Sequence, residues 1–70
     1  MSDFIQRLYE EKNQLEEKVV KLTAFLSSEN FQKVEINQRL LLKSQLYAMN
    51  SYLEILSHRL FLLSPSESVG

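Results

Sequence analysis

The stretch QRLLLKSQLYAMNSYLEILSHRLFLL, residues 38–63, holds neither Gly nor Pro and reads as one unbroken helix, yet its apolar residues fall on more than one side. One row, Leu42, Leu46, Met49, Leu53, Leu56, Leu60 and Leu63, steps alternately by four and three and makes a single helical stripe. A second row, Leu41, Ala48, Ile55 and Leu62, recurs every seven residues, with Gln45, Tyr52 and Arg59 beside it at the same repeat. Any fold available to this chain must cover both rows.

A partner for the first row lies upstream. From Ser2 to about Leu26 the apolar residues Ile5, Leu8, Leu15, Val19, Leu22 and Leu26 keep helical spacing, and Leu8, Leu15 and Leu22 hold a seven-residue step. Between them YEEKNQLEEKVVK supplies Glu10, Glu11, Lys12, Glu16, Glu17, Lys18 and Lys21 as a solvated face. Glu17 and Lys21 have the spacing of a favourable ion pair, worth about 0.2–0.5 kcal/mol on a helix surface. Ser2 reads as an N-cap, with Asp3 placed to meet the helix dipole.

The run SSENFQKVEINQ, residues 27–38, clusters cap-forming residues and interrupts the stripe, which places a bend at about 28–35. Within it Phe31 and Val34 read as a short helical turn that plugs one end of a hairpin. Glu35 and Gln38 have capping-box spacing, with Glu in place of Ser or Thr. A first helix at about 2–27 and a second at about 35–63 would be roughly 37 Å and 43 Å long. The expected fold is therefore all-α, an antiparallel helical hairpin of two long helices over residues 1–63. The tail SPSESVG, residues 64–70, contains the only Pro and the only Gly, buries little, and is expected to be disordered.

The chain has 70 residues, and a core of that size supplies only about 3–5 kcal/mol without a further staple. With no cysteine there is no disulfide or thiolate metal site, and the one histidine cannot hold a metal by itself. Self-association is the remaining route, so the second apolar row predicts packing of hairpin on hairpin into a helical oligomer. Gln45, Tyr52 and Arg59 then fall where water is partly excluded and need partners from another protomer or a ligand.

Eight Lys and Arg against nine Asp and Glu give a formal net charge of −1, without the basic excess that coating a DNA or RNA polymer or an anionic membrane requires. The N-terminus MSDFIQRLYEEK is unlike a signal peptide, and no apolar run of about 18 residues could span a bilayer. A cytosolic chain is expected. No Gly-rich phosphate loop is present, and His58 sits between Ser57 and Arg59 on a helix, the setting of a surface or interface side chain. No catalytic residue is assigned, no cofactor is implied, and an enzyme is not expected. Symmetry gives the few cations another use: one Lys or Arg per chain becomes two or three around an axis, which suits a small symmetric anion.

The runs FIQRLYEEKNQLEEKVVKLTAFL and QRLLLKSQLYAMNSYLEILSHRL together resemble the phage anti-CBASS cyclic-oligonucleotide sponges, whose helical-hairpin domain is shared with anti-Thoeris sponges. The likeness covers about residues 3–61 and rests on a helical pattern, QRL, EEK, KLTAFL and QLYAMNSYLEIL, rather than on a cysteine or glycine motif. It implies a hexamer, a trimer of dimers, that binds immune messengers without cleaving them. Pockets between protomers would take cyclic dinucleotides such as 3′,3′-cyclic GMP–AMP, and a separate site on the three-fold axis would take a cyclic trinucleotide such as cyclic triadenylate. The place of action implied is the host bacterial cytoplasm.

Residue by residue, the resemblance assigns Lys21 of KLT to the dinucleotide site and Thr23 to the trinucleotide site. Arg59 of SHRL completes the trinucleotide site. An aromatic early in the first helix would stack on the dinucleotide bases, for which Phe4 and Tyr9 compete, and Arg7 lies beside them as a further dinucleotide candidate. In a hairpin bent near Phe31, Thr23 and Arg59 are about 28 Å apart, and Tyr9 and Lys21 about 18 Å apart along one helix. Both sites would then draw residues from different chains. The competing reading is a helical adaptor or inhibitor that binds a host protein through the row Leu41, Ala48, Ile55 and Leu62.

Overall fold

A computed structural model describes residues 2–63, in which helix α1, Ser2–Leu26, a 3₁₀ turn, Glu29–Lys33, and helix α2, Ile36–Leu62, follow one another. No strand occurs among the described residues. Ser2 is already helical, so it is not the N-cap expected of it; the position ahead of it and the tail 64–70 lie outside the described residues. Asp3 does occupy the first turn, where a carboxylate favours the positive end of the helix dipole.

Serine chemistry ends α1. The Ser28 hydroxyl donates to the Phe25 carbonyl at 2.6 Å, and the Ser27 hydroxyl donates to the Thr23 carbonyl at 3.4 Å. The Ser27 and Ser28 amides close the last turn onto Ala24 and Phe25. These bonds satisfy carbonyls that the helix leaves open. Ser28 then turns extended, at φ −91° and ψ 162°, and releases the chain into the 3₁₀ turn.

Phe31 plugs the bend. It is 4% exposed and meets Phe25 edge-on, with ring centroids 5.9 Å apart and planes at 82°. Val34 beside it is half-buried. Glu35 is the N-cap of α2, its carboxylate accepting from the Gln38 amide at 3.2 Å, which is the reach that the Glu-to-Gln spacing anticipates.

The core is one narrow seam. Leu8 and Leu15 of α1 are buried against Leu56 and Leu60 of α2, with Ile5, Met49 and Leu53 packed around them. Residues near the start of α1 meet residues near the end of α2, so the helices run antiparallel. Leu56 is fully buried, whereas Leu63, read as the last residue of that stripe, is the C-cap and 37% exposed.

The hairpin is a rod of 48 × 19 × 18 Å with a radius of gyration of 15.8 Å, against about 11 Å for a globule of this chain length. Its second apolar row stands open: Leu41 is 61%, Ile55 57% and Leu62 77% exposed. Gln45 finds only a weak partner, the Met49 sulfur at 3.7 Å. Among the described residues no helix is long and apolar enough to cross a membrane.

Candidate functional site

The stripe of α1 turns Val19 toward α2 and leaves its neighbour Val20 on the outside, 67% exposed. Val19 and Val20 form the apolar part of an open groove with Leu53 of α2, and the polar lining comes from Asn13, Glu16, Glu17 and Lys21. Asn13, Glu17 and Lys21 lie on one row of α1 at successive steps of four, so the groove runs along that row for two turns.

The groove's charges are distributed differently from the expected pairing. The ion pair on this face is Lys12 with Glu16, at 3.2 Å, and not Glu17 with Lys21. Two rotamer-rich side chains at a solvated site gain little from pairing, which is why the spacing alone did not decide it. Glu16 is thereby neutralised, while Glu17 and Lys21 have no ion-pair partner within 4.0 Å among the described residues. A cation, an uncommitted carboxylate, a carboxamide and three apolar side chains, Val19, Val20 and Leu53, thus line one surface. That combination can hold an anion beside a planar group carrying hydrogen-bond donors.

A second, smaller concavity lies at the open end of the hairpin, lined by Phe4 of α1 and by Arg59, Leu62 and Leu63 at the end of α2. Phe4 is half exposed, and no ion pair or hydrogen bond engages the Arg59 guanidinium among the described residues. The fold therefore brings together, in one chain, an aromatic expected at the dinucleotide site and an arginine expected at the trinucleotide site. Thr23 is exposed near the other end of the rod, beside the bend. Thr23 and Arg59 do not meet within a chain.

Arg7 and Tyr9 are exposed on α1 and line neither concavity. Tyr9 is about 18 Å from Lys21 along the helix, and Phe4 about 25 Å. No aromatic lines the Lys21 groove.

Of the groove residues the sequence singled out Lys21 alone; Asn13, Glu16, Glu17, Val19, Val20 and Leu53 escaped it. The available signal was Val20, an apolar residue outside the α1 stripe with charged residues close on either side. At the bend, Lys43 Nζ lies 6.0 Å from the centroid of the Phe31 ring, and Arg39 Nη1 donates to Gln32 Oε1 at 3.4 Å. These two cations brace the plug, a role their plain basic character did not disclose. No group of side chains able to hold a metal ion occurs among the described residues.

A family model, Sequestin, matches residues 2–62, which is both helices and the bend between them. Sequestin is the phage anti-CBASS and anti-Thoeris sponge family. No curated protein and no solved structure matches the chain.

Proposed function

The chain belongs to the Sequestin family, and on that footing we propose that it sequesters cyclic dinucleotide immune messengers, 3′,3′-cyclic GMP–AMP among them, and releases them uncleaved. The observation that carries this reading is the state of Lys21. Its ammonium opens onto a groove with apolar side chains and is not consumed by Glu17 one turn away. A phosphate there would accept charge-assisted hydrogen bonds worth about 1.5–3 kcal/mol.

The bases need a stacking surface that the groove of one chain lacks. Tyr9 of a second protomer supplies it, with Arg7 two residues before it as a further cation. Stacking contributes about 1–3 kcal/mol per base. Two-fold symmetry repeats both contacts, which suits a ligand with two phosphates and two bases. Phe4, on the other concavity with Arg59, serves a distinct ligand: a cyclic trinucleotide such as cyclic triadenylate, with Arg59 and Thr23 contributed by different chains.

Assembly precedes binding in this account. The open row of Leu41, Ala48, Ile55 and Leu62 packs hairpin on hairpin, and a hexamer built as a trimer of dimers supplies both symmetry axes. The chain itself then acts by mass action, lowering the free messenger in the host cytoplasm without consuming it.

The test is equilibrium dialysis of the purified chain against 3′,3′-cyclic GMP–AMP, followed by heat denaturation and chromatography of what is released. Retained nucleotide recovered intact supports a sponge. A linear or hydrolysed product would make the protein an enzyme, and no retention would remove the dinucleotide role.

A further inference from the structure

We propose that the Lys21 groove selects guanine, and that Glu17 is the residue that does so. The inference rests on the reading of this groove as a cyclic dinucleotide site and concerns which base it admits.

A carboxylate one helical turn from a phosphate-binding ammonium is a liability unless the ligand gives it something to accept. Its neighbour Glu16 is neutralised by Lys12 at 3.2 Å, but Glu17 has no cationic partner among the described residues and lines the groove with Lys21. An ionised carboxylate only accepts hydrogen bonds. A ligand made of phosphates alone would be repelled by it. The ligand that fits carries an anion at one end and donors at the other.

Among the bases, guanine presents N1–H and the N2 amino group side by side, two parallel donors that match the two oxygens of one carboxylate. Adenine presents a single amino group beside the N1 lone pair, and that lone pair would face a carboxylate oxygen. Asn13, one turn before Glu17 on the same row, adds a carboxamide whose N–H can donate to guanine O6. The Cβ atoms of Glu17 and Lys21 are about 5–6 Å apart. With the reach of both side chains added, the pair spans a nucleotide from phosphate to base edge. Val20 and Leu53 offer the apolar surface on which the base face can rest.

The experiment is calorimetric titration of the full chain with cyclic di-GMP, 3′,3′-cyclic GMP–AMP and cyclic di-AMP, each against the native protein and against Glu17→Met, which keeps the apolar stem and removes both acceptors. The native chain should bind cyclic di-GMP at least about ten-fold more tightly than cyclic di-AMP, since a site built to accept donors rejects a ligand that lacks them. In Glu17→Met that preference should collapse while affinity for cyclic di-AMP holds or rises. Equal native affinities, or a Glu17→Met variant that gains equally for all three ligands, would overturn the inference. If the ligands bind through Lys21 without guanine preference, this inference alone fails. If none binds, the reading of the groove as a dinucleotide site fails with it.

Discussion

Glu17 and Lys21 stand one turn apart on α1, line the same groove and do not pair. Helix spacing alone would have made them partners and turned the groove into plain solvated surface. Left apart, they keep opposite charges available on a strip that also carries Val20 and Leu53.

Reversing the cation should abolish binding and spare the fold. Lys21→Glu is expected to lower affinity for 3′,3′-cyclic GMP–AMP at least about 100-fold, through loss of two symmetry-related charge-assisted hydrogen bonds. Circular dichroism and sedimentation mass should match the native chain. An adaptor that works through α2 would keep its activity in this variant.

The two concavities should respond to different substitutions. Tyr9→Ala is expected to weaken a cyclic dinucleotide by at least about 30-fold, the value of two symmetry-related stacking contacts, and to leave cyclic triadenylate unaffected. Phe4→Ala and Arg59→Ala should do the reverse, because the fold places those residues on one concavity away from Lys21. Titration of the three variants with both ligands gives the pattern.

The apolar row of α2 should be an interface. Ala48→Asp puts a charge at its centre, and analytical ultracentrifugation should show the mass falling while unmutated protein stays assembled. Nucleotide binding should fall with it, since the Lys21 groove of one chain has no aromatic.

The core seam is the most sensitive place for stability. Leu56→Ala should cost about 2–5 kcal/mol, because Leu56 is fully buried at the meeting of the helices. Glu35→Ala should cost about 0.5–1 kcal/mol through the lost cap on Gln38. Thermal melts at one protein concentration rank the two.

The long-range pattern was legible because helix periodicity is read directly from side-chain spacing. The steps of four and three from Leu42 to Leu60 marked the buried stripe, and the seven-residue row marked the open face that the structure leaves exposed. The Glu35 cap was legible for the same reason, since a cap needs only a side chain and an amide three residues apart. Ser2 was misread because an N-cap and a first helical residue differ by one position, a shift no local pattern resolves. The Glu17–Lys21 pairing was misread because a solvated ion pair competes with side-chain entropy on nearly equal terms. Phe4 and Arg59 share a concavity only because the hairpin folds its two ends together, which became visible once the register of α1 on α2 was known.

The most direct measurement is the stoichiometry of calorimetric titration with 3′,3′-cyclic GMP–AMP. Pockets built between two chains predict saturation at about one ligand per two chains. Saturation at one ligand per chain, in a form that sediments as a monomer, would contradict a shared pocket and return Lys21 to an ordinary surface residue.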